Sequence, residues 1–193
     1  MLGASHSFAA IALLIGLSTA VGAAFQAKQP AVNANAATIQ DFLKRVDQYV
    51  ALHKSLEGPL PKLPKQATPE QMDAHQRALG KLIQESRKGV RQGDIFTLKM
   101  QGFIRDLLRP VFSGSDGVQI KAEILDKEYK GDVKLVVNGR YPDEVPVSTM
   151  PPQVLKSLPQ LPEELEYRFI QNNLILFDPH AHIIADYMVR AFN

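Results

Sequence analysis

Apolar residues recur at steps of three and four through most of this chain and at steps of two near its end. From Thr38 onward, Ile39, Phe42, Leu43, Val46, Tyr49, Val50, His53 and Leu56 form one stripe, which predicts a helix capped by Thr38 and stopped at Gly58. The following PLPKLPK segment reads as a stiff extended connector, because proline fixes φ and lacks an N–H. Thr68-Pro69-Glu70-Gln71 then supplies an N-cap hydroxyl, a first-turn proline and a capping-box glutamine, with Met72, Leu79, Leu82 and Ile83 on one face and Gly89 and Gly93 beyond the end. Asp94 is the expected cap of a third helix carrying Phe96, Met100, Phe103, Ile104, Leu107 and Leu108, interrupted at Pro110. A short fourth helix is expected near Val118 to Leu125, after SGSDG.

Beyond Gly131 the period falls to two. Val133, Leu135 and Val137 suggest one strand, Val145 and Val147 a second, and Leu165, Tyr167 and Phe169 a third. Pro152 starts a short helix, QVLKSL, between the second and third. Asn172-Asn173 suits a hairpin turn into LILF, and Asp178-Pro179-His180-Ala181 turns the chain again into HIIADYM. Helices first and strands afterwards imply an α+β fold, with N-terminal helices packed on a C-terminal antiparallel meander of four or five strands. The expected organisation is a single domain over 38–193, with its helical part at 38–127 and its sheet part at 131–193.

The amino terminus bears on compartment. Phe8 to Ala24 is apolar, uncharged and ends in small residues, as a signal peptide does, so residues 1–24 are read as an export signal or, uncleaved, as an N-terminal anchor. Residues 25–37 read as a flexible linker. Periplasmic or secreted localisation is therefore expected, with membrane contact only through an uncleaved N-terminal segment.

Composition narrows the chemistry. The 193 residues include no Cys, which removes disulfides, thiol nucleophiles, zinc ribbons and iron–sulfur sites. The net charge of +2 is uneven, +5 over residues 38–113 and −4 over 114–193. Lys81, Arg87, Lys88 and Arg91 suit the end of the second helix as a solvated basic group, and no nucleic-acid motif accompanies them. A nucleic-acid partner is not expected.

The sharpest chemical pattern is Asp178-Pro179-His180-Ala181-His182. Imidazole and carboxylate are metal ligands, and alternate residues of an extended segment share a face, so Asp178, His180 and His182 are candidate ligands for zinc or another divalent ion. A fourth ligand would come from a distant residue such as His75 or His53. The plainer reading has Asp178 capping its own turn, and His53, on an apolar face, packed in the core. Asp186 or Glu164 would be the base in such a site, while Glu163, Glu164 and Glu166 make a weak general-acid pattern of their own. Ser148-Thr149 and Ser113/Ser115 lack a nucleophile context, and Tyr129, Tyr141 and Tyr167 fit core or rim aromatics.

Arg140 to Met188 carries Tyr141-Pro142, Pro151-Pro152, LPQLPEELEYRF and Asp178-x-His180-Ala181 followed by Ile184-x-Asp186. In these motifs the chain resembles a group of uncharacterised exported bacterial proteins. The resemblance implies export and a compact carboxyl-terminal sheet, and brings no catalytic residue with it. His182 stands where asparagine is expected in that group. Two functions are carried forward: a non-enzymatic periplasmic or secreted binding module for a protein or cell-envelope component, without a cofactor, and alternatively a metal-dependent hydrolase using Asp178, His180 and His182.

Overall fold

The computed structural model describes residues 33–125, 131, 133–147 and 150–192, which all belong to one compact unit. The expected signal and most of the expected linker, Tyr129 and Ser148-Thr149 lie outside the described residues. No helix among the described residues is long and apolar enough to cross a membrane.

Among the described residues, five helices precede a three-stranded sheet, which confirms the α+β expectation. They are α1 (Ala34–Glu57), α2 (Pro69–Ser86), α3 (Leu98–Ser113), α4 (Gly117–Ile124) and α5 (Pro152–Ser157), followed by β1 (Glu166–Ile170), β2 (Asn173–Asp178) and β3 (Ile183–Met188). α1 begins four residues before the expected Thr38 cap, at Ala34, because Asn33 accepts the Asn35 amide at 3.0 Å. Thr38 instead donates its hydroxyl to the Ala34 carbonyl. The expected capping box of α2 is present in both directions. α3 is capped by Thr97 rather than Asp94, since residues 93–96 are held in a loop by Asp186. It also runs through Pro110 to Ser113, where only the final turn has to tolerate the missing N–H.

The sheet has the order β1-β2-β3 and is antiparallel throughout. The β1–β2 turn is Gln171-Asn172, one residue earlier than expected, and its positive φ of 56° falls on Gln171. Tyr167, Phe169, Leu174, Leu176 and Ile183 face the helices in the main core, whereas Ile175, Phe177 and Ile184 point to the opposite face. An irregularity between Leu176 and Phe177 pairs them with Asp186 and Ile184, so Ala185 is extra on β3. This bulge inverts the alternation and turns Asp186 toward the helices.

The two strands expected at 133–137 and 145–147 do not form. On the sheet's second face Tyr141 and Val145 pack with Ile170, Ile175, Phe177 and Ile184, and Val133 and Leu135 lie against them, while Val147 is exposed. Only a short stretch reaches the ladder, through Asn138 N to Ile184 O at 2.7 Å, Ile184 N to Gly139 O at 2.9 Å and Tyr141 N to His182 O at 2.9 Å. Pro142 and Pro146 lack the N–H groups that a longer pairing requires.

This cover is tied to α2 by charge. Arg140 reaches Asp143 and Asp73, each at 2.9 Å; it holds the Asp143 carboxyl below the usual carboxylate range, and Asp73 is held there first by Arg77 and further by Arg140. A lowered carboxyl pKa adds stability that is complete above the unfolded-state value and disappears as pH falls through the folded-state value. The stability difference between wild type and Arg140→Met is therefore expected to shrink below about pH 4 in urea melts run from pH 6 to pH 2. A constant difference would mean that Arg140 acts by packing alone.

Candidate functional site

The site forms where the last turns of α1 meet the end of β2. His53 closes the apolar stripe of α1, so its ring is driven into the core and is fully buried. Asp178 ends β2 on the same face as Leu174 and Leu176, and is also fully buried. The two meet with His53 Nδ1 2.6 Å from Asp178 Oδ2. Tyr49, one turn before His53, donates its hydroxyl to the same oxygen at 2.7 Å, and Asp178 Oδ1 accepts the Ala181 amide at 2.9 Å. Asp178 thus does cap its own turn, while also fixing His53. A carboxylate can only accept, so Nδ1 carries a hydrogen, and Nε2 is the nitrogen whose proton a metal ion would have to displace.

Glu57 stands one turn after His53 and is met by three imidazoles. Its Oε2 lies 3.1 Å from His53 Nε2, and its Oε1 lies 3.0 Å from His180 Nδ1 and 3.3 Å from His75 Nε2. His180 arrives on the β2–β3 loop and His75 on α2. The loop sits close to α2 because Gly80 has no side chain there: a Cβ would stand 3.1 Å from the Ala181 carbonyl oxygen and 3.3 Å from Ile183 Cγ2. Exposure rises outward, from a buried His53 through a partly buried Glu57 to an exposed His180.

The electrostatics follow from this packing. Burial pushes the His53 pKa down, but Asp178 and Glu57 outweigh it and hold the ring above its ordinary value. Burial likewise pushes Glu57 up, while the imidazoles of His75, His180 and His53 bring it below the usual carboxylate range. Tyr49 is raised well above 10.0 by burial and by the Asp178 charge, so its phenol stays a donor. Behind it the Arg87 guanidinium sits 5.0 Å from the Tyr49 ring centre.

Of Asp178, His180 and His182, the structure brings only His180 into a ligand cluster, where it is joined by His53, one of the two distant residues named as a fourth ligand. Among the described residues, the one group of three with ligand atoms all within 4.8 Å of one another is His53, Glu57 and His180. Asp178 lies behind His53 with its oxygens occupied. His182 faces away, 3.7 Å from Asp143 and edge-on to Tyr141 and Phe177. The reason is the loop: Asp178 pairs with Ile183, so Pro179 to His182 form a four-residue turn, with His182 at φ 52°, and alternation along an extended strand does not apply.

Neither expected base stands free in the site. Asp186 is a structural clamp that accepts the amides of Gly93, Ile95, Phe96 and Tyr187. Glu164 pairs with Lys54 at 2.7 Å and its second oxygen is buried without a partner. Arg87 is not part of a solvated basic group but is buried, donating to Asn138 and the Ala185 carbonyl. Tyr141 and Tyr167 are core residues whose hydroxyls bond the carbonyls of Pro146 and Pro159. Glu57 is the residue that sequence reading missed. Its signal was the four-residue step from His53, which places the two side chains side by side on one helix face.

Glu57 and His75 line a cleft of about 330 Å³, together with Lys54, Leu60, Lys62 and Leu63. No family model, no curated protein and no solved structure matches this chain. The functional reading therefore rests on the site itself.

Proposed function

We propose that the protein is a divalent-metal-dependent hydrolase whose ligands are His53 Nε2, the Glu57 carboxylate and His180 Nδ1. The observation that carries this reading is the mutual spacing of those atoms, all within 4.8 Å of one another. Ligands about 2.0–2.1 Å from zinc at tetrahedral angles stand roughly 3.3 Å apart. Here Glu57 lies 3.1 Å from His53 Nε2 and 3.0 Å from His180 Nδ1. Two histidines and one glutamate is a ligand set of catalytic rather than structural zinc sites, which keep the fourth position for water or substrate. Asp178 supports it as the outer-shell carboxylate that orients a ligating imidazole. Such an ion lowers the pKa of bound water to about 7 and polarises a carbonyl or phosphoryl oxygen. His75, 3.3 Å from Glu57 but outside the tight group, lines the neighbouring cleft.

The apolar, uncharged stretch from Phe8 to Ala24 supports a periplasmic or secreted setting for this activity. The test is the metal content of the chain purified without chelators, beside Glu57→Gln and His180→Ala. One zinc per chain, lost in both variants, together with a zinc-dependent rise in wild-type Tm, is the expected result. No bound metal and no Tm shift on adding zinc or manganese would overturn the proposal. The four side chains would then be an ionic cluster in a binding module.

A further inference from the structure

Beside the cluster, the 330 Å³ cleft continues into a second of about 310 Å³, the two sharing Leu60, Lys62, Leu63 and His75. The second runs between the proline-rich connector and α2, past Pro61, Pro64, Ala74 and Ala78. Together they form a groove of the size that small-molecule sites occupy, with an apolar floor. Its outer wall is pre-formed, because the connector's prolines have little freedom left to lose on binding. Glu57 is the single acidic side chain lining either cleft, whereas Lys54 and Lys62 both line the first. A cationic chain is therefore disfavoured, and an uncharged apolar chain fits.

We infer that this groove is the acyl subsite of the enzyme, which places an ester or amide carbonyl at the cluster and lays its apolar acyl chain over Leu60 and Leu63. The inference rests on the metal reading above and names the substrate class for the same site. In the reaction, the oxygen of water adds to the carbonyl carbon and the bond from that carbon to the ester oxygen or amide nitrogen breaks. The leaving group departs carrying one proton, and the acyl part is released as a carboxylic acid. Leu63 is the residue to test, since it is 42% exposed and lies outside the main core.

Calorimetric titration of the zinc-loaded full chain with acetohydroxamate and octanohydroxamate separates the two claims, because both probes chelate the ion and differ only in the chain. Octanohydroxamate is expected to bind at least about tenfold tighter, as burial of two or more methylenes requires. In Leu63→Asp that preference is expected to fall to about threefold or less, with one zinc still bound per chain. Equal affinities in the wild type, or a preference that Leu63→Asp leaves intact, would overturn the acyl subsite while the metal site stands. Failure to load zinc at all would overturn the metal reading instead.

Discussion

Asp186→Ala is expected to cost about 4 kcal/mol of folding stability, measured by urea denaturation of the purified chain. The carboxylate is fully buried and accepts four backbone amides, from Gly93 at 3.0 Å, Ile95 at 2.7 Å, Phe96 at 2.8 Å and Tyr187 at 2.8 Å. Burial pushes its pKa up, and the four amides pull the other way without fully offsetting it. Alanine would leave the loop amides between α2 and α3 with no acceptor, two of them on the buried residues Ile95 and Phe96. Each orphaned buried donor costs roughly 1–3 kcal/mol, and partial access of water near Gly93 keeps the sum toward the lower end. Asp186→Asn is expected to lose somewhat less, since its amide keeps one acceptor oxygen but turns a donor toward other donors. A loss below about 1 kcal/mol for the alanine variant would show that the loop finds other partners. Because Asp186 bonds the α2–α3 loop and not the histidine cluster, the folded variant is expected to bind zinc as the wild type does.

Asp178→Asn is expected to lower zinc affinity about 10- to 100-fold while leaving the three proposed ligands in place. Asp178 receives the Tyr49 hydroxyl and the His53 Nδ1 hydrogen on one oxygen and the Ala181 amide on the other. Asparagine has one acceptor oxygen, so one side must now present an amide donor. If that donor faces His53, Nδ1 becomes the acceptor and the hydrogen moves to Nε2, which can then no longer ligate. If it faces Ala181, two donors meet and the turn that carries His180 loses its cap. Competition against a zinc-chelating dye would measure the change, with circular dichroism confirming the fold. Unchanged affinity would mean that Asp178 serves the turn alone and that His53 is not a ligand.

The helical half of the molecule was legible because its determinants are local. The stripe from Phe42 to His53, the Thr68–Gln71 box and the stop at Gly58 each act within a turn or two of chain. The last three strands were legible for the same reason, through alternation in Leu165 to Phe169 and turn residues beyond it. Alternation misled at Val133–Val137 and Val145–Val147, where the same pattern serves an irregular cover instead of a ladder. Period-two spacing reports that one side of an extended segment is buried; it does not report whether a neighbouring strand is there to pair with it.

By itself the sequence determined the order of elements, the apolar faces and the uncharged amino-terminal segment, and it excluded thiol chemistry. Tertiary structure decided what the histidines do. His53 and Asp178 are 125 positions apart, and only the docking of α1 on the end of β2 makes them a pair. His180 and His182 are two positions apart, yet the four-residue loop sends one to Glu57 and the other to Asp143. Helix and turn propensities are set by neighbours along the chain. A ligand set is set by which faces come together in space, and that is decided by burial of the whole core.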